Sequence, residues 1–176
     1  MQIAAIIGMA TVLLWSCQQA PVKGTLEVRV KDHRQAIDDF TNVGLTLDAL
    51  RIKPKGLNSW RDLTLATTQV DLTELVGGGS AVIHRSEMEA RSFEALDLDI
   101  KKINETLKDT KKKAKVQNSL GPIWLPFSIS ENKMTRIVLD LTIIDISDHP
   151  PRGYELHIKG YELYTDGQLT DKIPPG

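Results

Sequence analysis

Cysteine is nearly missing from this chain: Cys17 is the only one, so neither an intrachain disulfide nor a paired-thiolate metal or redox centre can form. Aromatic residues are few, three each of Trp, Tyr and Phe. None is interleaved with the basic stretch Lys108 to Lys115, which leaves it without a stacking platform for nucleic-acid bases. Neither charge sign dominates, with 22 Lys and Arg against 23 Asp and Glu, and such a balance offers no reason for a nucleic-acid partner. Catalytic signatures are absent too. Gly-x-Ser-x-Gly, His-Glu-x-x-His, Cys-x-x-Cys and Gly-x-Gly-x-x-Gly do not occur, and the four histidines share no ligand spacing, so the common nucleophile, zinc and dinucleotide motifs are excluded. Two carboxylates brought together from distant strands, as in a glycosidase, would leave no such trace.

What is present begins with the apolar run Ile3 to Trp15, closing on Ser16 and Cys17. A dozen apolar residues before a small residue and a cysteine read as a secretory signal whose cysteine takes a lipid. The run is short for a span of roughly 20 residues. Two or three acyl chains, at about 0.8 kcal/mol per buried methylene, would make release from a bilayer slow. Trp15 is bulkier than the pattern prefers and no Lys or Arg precedes the run; the alternatives are an uncleaved anchor or a buried helix. Gln18 to Pro21 then form a polar, helix-breaking tether. Gln18, not an acidic residue, follows Cys17, which by analogy with lipoprotein sorting points to an outer membrane. The expected organisation is a signal peptide over 1–16, a tether over 17–23, a β-sandwich over 24–165 and a coil over 166–176. About 160 residues remain after the signal, enough for one domain burying roughly 70% of its extended-chain surface.

Beyond the tether the dominant period is two. Leu26, Val28 and Val30 alternate with Thr25, Glu27 and Arg29, predicting a half-buried strand. From Val43 the alternation passes Leu45 and Leu47, slips by one and resumes at Leu50 and Ile52, which predicts a bulge around Asp48 to Leu50. A short strand is expected at Trp60 to Leu65, with Thr67 to Leu72 either its continuation or a further strand. Asp71 with Glu74 three residues on, and Gly77 beyond, predicts one helical turn. The run Gly77-Gly78-Gly79-Ser80 lacks the Lys-Ser/Thr pair of a phosphate loop and reads as a turn. Arg91 to Leu107 fits a helical face through Phe93, Leu96, Ile100, Ile103 and Leu107 as well as strand alternation. The strands on either side favour a strand over Ala95 to Ile103. Asp97 and Asp99 would then share a sheet face, where they either bind Ca²⁺ or face water.

Lys108, Lys111, Lys112, Lys113 and Lys115 form the most basic patch. It reads as a solvated hairpin tip that discourages edge pairing, the other option being contact with anionic headgroups. Ile123, Leu125, Phe127 and Ile129, a turn at Glu131-Asn132-Lys133, and Ile137, Leu139, Leu141 and Ile143 predict a hairpin, with Pro126 on an edge strand. Asp145, Ser147, Asp148 and His149 precede Pro150-Pro151; turn chemistry explains them more simply than a metal site. Gly160, between two Gly-Tyr-Glu-Leu copies, predicts a second bulge, and His157 between Glu155 and Lys159 reads as solvated.

The ordered set Gly24-Thr25-Leu26-Glu27-Val28 with Asp32, Val43-Gly44-Leu45-Thr46-Leu47 to Ile52, Trp60-Arg61-Asp62-Leu63, Val70-Asp71-Leu72-Thr73-Glu74-Leu75 and Ile137-Val138-Leu139-Asp140-Leu141 resembles the bacterial lipoprotein domain of unknown function DUF4382. Two departures stand out: Asp32-His33-Arg34 replaces an Asp-Ala-Pro turn, and Ala90-Arg91-Ser92-Phe93 replaces a glycine-aromatic-arginine strand start. The resemblance implies an extracytoplasmic, mostly antiparallel sandwich and supports the strand over Leu96 to Ile100. It transfers no active site.

The expectation is therefore a mostly β, antiparallel β-sandwich, immunoglobulin-like or transthyretin-like, with one short helical turn and a preceding signal helix. Its expected function is a non-catalytic lipoprotein of the cell envelope, tied to a membrane at Cys17 and binding or scaffolding an envelope protein or glycan, with no cofactor and no nucleic acid. One alternative is a carbohydrate-binding module in which Trp60, Trp124, Tyr154, Tyr161 or Tyr164 stack on sugar rings. Two or more of these rings must then be exposed on one face. A second alternative is a carboxylate-based hydrolase, which requires a concave pocket holding two carboxylates.

Overall fold

The structure, a computed structural model, describes residues 21–110, 114–149 and 152–173. The expected signal peptide over 1–16 and most of the tether, Cys17 included, lie outside the described residues. Eleven strands appear among those described: β1 (Lys23–Asp32), β2 (Phe40–Pro54), β3 (Arg61–Leu63), β4 (Gln69–Asp71), β5 (Ala81–Glu89), β6 (Arg91–Leu107), β7 (Val116–Asn118), β8 (Phe127–Ile129), β9 (Met134–Asp145), β10 (Tyr154–Thr165) and β11 (Gln168–Ile173). Two single turns of 3₁₀ helix, Ala36–Asp39 and Leu72–Leu75, complete the set. The second is the helical turn expected after Asp71, whose carboxylate caps it by accepting a hydrogen bond from the Thr73 backbone N–H.

The strands form two sheets. The first runs in the order β11-β10-β9-β1-β5, with β7 on the upper part of β10; the second runs β3-β2-β6-β8, with β4 beside β3 on β2. Period-two alternation places Leu26, Val28 and Val30 of β1 and Ile137, Leu139, Leu141 and Ile143 of β9 on one inner face. Leu45, Leu47, Leu50 and Ile52 of β2 and Leu96, Leu98 and Ile100 of β6 line the other, and all are buried. Burial of a full aliphatic side chain is worth about 1.5–3 kcal/mol, so this two-layer core is what holds an unstapled chain together. Phe93 stacks on Phe127 at 5.0 Å between ring centroids near one end of the sandwich, and Phe40 meets Tyr154 edge-on at 4.8 Å near the other.

The expected sandwich is found, with most pairings antiparallel. Two are parallel: β1 with β9, and β7 with β10. The β2 slip is a bulge, because Leu47 pairs with Ile100 and Ala49 with Asp99, leaving Asp48 without a partner across the ladder. Lys101 is skipped on the facing strand at the same level. Two offset bulges return Leu50 and Leu98 to the core together. Gly160 lies at a bulge within β10, where Lys159 is skipped. The Arg91 to Leu107 stretch is strand throughout, longer than Ala95 to Ile103, because β2 pairs along almost its whole length.

Three expectations change. The strongest predicted hairpin is not one: β8 pairs with β6 in the second sheet, while β9 pairs with β1 and β10 in the first. The turn at Glu131-Asn132-Lys133, with Asn132 at φ 55, is a corner from one sheet to the other. The tail expected as coil over 166–176 contains β11, held to β10 although all six of its residues are exposed. Two further strands, β5 and β7, carry no clean alternation and were not expected at all. In β5 the pairing shifts between Val28 and Arg29, so Ile83 is the extra residue and His84 follows it inward.

Strand polarity fixes the two ends. The start of β1, the β5–β6 corner at Ala90, the Gly56 turn, the 130–133 corner and the β10–β11 turn share one end, tied by hydrogen bonds from Ala90 N–H to the Val22 carbonyl, Asn132 N–H to the Lys23 carbonyl, Lys55 N–H to the Ser92 carbonyl and Asp166 N–H to the Met134 carbonyl. The loops after β1, β6 and β9 sit at the other, where Lys108 N–H donates to the Asp39 carbonyl. A strand as long as β6, 17 residues, separates the ends by about 50 Å at ~3.3 Å per residue.

Candidate functional site

The outer face of the second sheet carries the groups singled out as a possible cation site. Asp97 and Asp99 do share that face, but a guanidinium already provides the positive charge there. Arg51 Nη2 lies 2.7 Å from Asp97 Oδ2 and 4.0 Å from Asp99 Oδ2, because Arg51 is directly opposite Asp97 in the ladder. Lower on the same face, Lys53 Nζ is 2.6 Å from Glu94 Oε1 and 5.0 Å from the centroid of the Trp124 ring. The Lys53 hydrogen bond holds the Glu94 carboxyl below its ordinary range. Trp124 is 64% exposed. Trp60 is half-buried and stands one step beyond the Arg61–Ile52 pair, at the level of Lys53.

The five aromatic residues expected as sugar contacts do not form one platform. Tyr154 and Tyr161 are buried, at 0% and 6% exposure, which corrects their assignment as stacking rings. Each is a core side chain with a satisfied hydroxyl, donating to Asp39 Oδ2 at 3.0 Å and to Asp171 Oδ2 at 2.9 Å respectively. Burial comes first in raising both hydroxyls above the ordinary tyrosine range, and the carboxylate partners add to it. Tyr164 is half-buried and donates to Glu162 Oε2 at 2.9 Å. All three tyrosines belong to the first sheet, whereas Trp60 and Trp124 lie with the second.

The first sheet's outer face is a charge ladder. Glu27, on the outward phase of β1, is only 1% exposed, because three arginines converge on it: Arg136 Nε at 2.7 Å, Arg29 Nε at 2.8 Å and Arg85 Nη1 at 3.5 Å. Burial acts to raise its carboxyl, and hydrogen bonds from Arg136 and Arg29 outweigh it, leaving the group below the ordinary range. Nothing local in the sequence signals this cluster, since Arg85 and Arg136 come from β5 and β9. Higher up, Lys31 Nζ reaches Glu162 Oε1 at 3.0 Å and Asp140 Oδ2 at 3.5 Å, and His33 Nδ1 is 3.1 Å from the same Asp140 oxygen. The glycine run beside this face is a turn as expected, with Gly77 and Gly78 at φ 90 and 104. Ser80 Oγ accepts a hydrogen bond from Arg29 Nη1 at 3.0 Å.

A groove of about 430 Å³ runs between the edge strands β3 and β5 and includes Asp62, Glu87 and Glu89. All three carboxylates are exposed, so none has the dry surroundings in which a carboxyl becomes a general acid. His84 at the groove floor is 2% exposed, with Nδ1 2.8 Å from the Thr64 carbonyl and Nε2 3.0 Å from Ser86 Oγ. This pairs an imidazole with a hydroxyl, yet the ring is closed off from any substrate and both nitrogens are engaged in sealing the sandwich edge. Sequence reasoning missed it because Ile83 interrupts the alternation. At the far end, Asp145 Oδ1 accepts from both the backbone and the hydroxyl of Ser147. Its carboxyl is lowered first by those bonds. No group of three His, Cys, Asp or Glu able to hold a metal occurs among the described residues. Lys108 and Lys115 of the lysine patch are at that end too; Lys111 to Lys113 lie outside the described residues. His157 is half-exposed, 2.7 Å from Glu155 Oε2.

Two layers of β-strand, charge ladders on both outer faces and open grooves define a small β-sandwich module, and nothing among the described residues positively indicates catalysis. The sequence profile described as Domain of unknown function (DUF4382) matches residues 23–154, so the chain belongs to that family. No curated protein and no solved structure matches the chain. The match covers β1 to the first residue of β10 and leaves the rest of β10 and β11 beyond it.

Proposed function

We propose that the protein is a non-catalytic lipoprotein of the cell envelope, held to a membrane by acyl chains on Cys17, which presents its far-end loops to an envelope protein or glycan. The observation that carries this reading is polarity. β1 begins at Lys23, six positions after Cys17, so an anchor there lies within about 20 Å of the end that holds the Gly56 turn and the 130–133 corner. The loops after β1, β6 and β9 then stand roughly 50 Å away. In this arrangement Lys108 and Lys115, the described lysines of the basic patch, stand at the end away from the anchoring bilayer, in keeping with a solvated tip rather than a headgroup contact.

The test is metabolic labelling with a fatty-acid probe followed by membrane fractionation, comparing the native chain with Cys17→Ser. The native chain is expected to carry the label and sediment with membranes, and Cys17→Ser to lose both. A native chain that is soluble and unlabelled overturns the reading.

A further inference from the structure

Resting on that anchored reading, we propose that the anchored end of the second sheet is itself a lipid contact, in which Trp124, Trp60 and Leu57 sit in the headgroup region of the bilayer. Four of the large apolar side chains exposed on the molecule are at or near that end: Val22 at 49%, Leu57 at 41%, Trp124 at 64% and Leu169 at 52%. Val22 directly precedes β1, and Leu57 follows Gly56 at the tip of a turn with φ 76 and open space around it. Indole rings prefer the water–lipid boundary, where an apolar body and a polar N–H are both accommodated. Lys53, held by Glu94, lies 5.0 Å from the centroid of the Trp124 ring and helps fix the indole in its exposed position.

Reach and charge select the occupant. The short link from Cys17 to Lys23 leaves this end no more than about 20 Å from the anchoring surface, whereas the far loops are out of range. Charges around it nearly cancel: Lys23, Lys55, Arg91 and Lys133 stand among Glu89, Glu131 and Asp166, and Lys53 is paired with Glu94. The contact therefore arises from partition of apolar side chains, not from attraction to anionic lipid. A few such side chains bind weakly alone; a tether raises their effective concentration at the surface and makes the contact persistent.

The experiment uses the chain from Cys17 onward, which keeps every strand of both sheets, coupled through the Cys17 thiol to a maleimide lipid in phosphatidylcholine vesicles. Trp60→Phe leaves Trp124 as the sole indole reporter. Expected are a shift of Trp124 emission to shorter wavelength on coupling, quenching by brominated acyl chains, loss of both in Leu57→Ser/Val22→Ser, and no increase on adding anionic lipid. Far-UV circular dichroism verifies that each variant is folded. Emission that is the same coupled and free overturns the proposal, as does contact seen only with anionic vesicles. Emission that ignores lipid but shifts with soluble oligosaccharide also overturns it, in favour of a sugar site. Because coupling supplies the anchor chemically, these outcomes are separate from whether Cys17 is acylated in cells.

Discussion

The α-carbon of Gly24 lies so close to the Ser130 carbonyl that a Cβ built on it would stand 2.1 Å from that oxygen and 3.0 Å from the Lys133 carbonyl. Both neighbours are backbone of the corner that passes the chain from the second sheet to the first, so neither can swing aside. Gly24→Ala is expected to cost about 3 kcal/mol or more, the upper range for overpacking, and Gly121→Ala, with nothing within 4 Å, to be near neutral. Urea unfolding midpoints measure both.

Gly160 makes the same approach to a different neighbour, the Ile173 carbonyl at 2.4 Å. That carbonyl belongs to β11, whose side chains are all exposed. Gly160→Ala is therefore expected to release β11 locally while the sandwich stays folded. Hydrogen exchange will show lost protection over Gln168–Ile173 and retained protection in β9.

Glu27 is the counter-ion of three arginines, and its removal strands them. Glu27→Leu leaves Arg29, Arg85 and Arg136 converging on an apolar side chain; because all three keep access to water, the expected loss is about 1–3 kcal/mol. Adding Arg136→Leu should recover part of it, since the closest uncompensated charge is removed. A double-mutant cycle in thermal unfolding tests the coupling.

Glu162 sets an acid limit. Burial works to raise its carboxyl but is overcome by hydrogen bonds from Lys31, Tyr164 and Lys172, which hold it at about 2 against an ordinary 4.5. A carboxyl lowered on folding contributes stability that is complete above the unfolded value and is lost as pH falls toward the folded one. The contribution is on the order of 3 kcal/mol at pH 7 and fades between about pH 5 and 2. Glu162→Gln is expected to lower stability at neutral pH and to flatten that limb of the stability–pH curve.

Tyr154 separates a core role from a binding role. Tyr154→Phe removes one hydroxyl donated to Asp39 and contacted by Arg152, at an expected cost of about 1.5–3 kcal/mol for a bond to a charged partner. Phe40→Ala, which deletes the ring packed edge-on against it, should cost about 3–5 kcal/mol. Glycan-array binding, if any is found, should not respond to Tyr154→Phe, because the ring has no exposed surface.

The sequence by itself determined which residues turn inward along β1, β2 and β9, and where β2 and β10 must bulge; along β6 a helical face competed with the strand alternation. Side chains alternate strictly across a strand, so an apolar run and a one-residue slip are both visible in one dimension. It did not disclose β5, where a bulge places Ile83 and the polar but hydrogen-bonded His84 next to each other, nor β11, which buries nothing and exists because β10 pairs with it. Alternation says that a face is covered and is silent on what covers it. Only the tertiary structure decided that β8 and β9 part at residues 130–133 to join different sheets, that β1 and β9 run parallel, and that Arg85 and Arg136 close over Glu27. Those outcomes depend on which backbone edges and charges meet across more than thirty residues of chain, and no local pattern records such meetings.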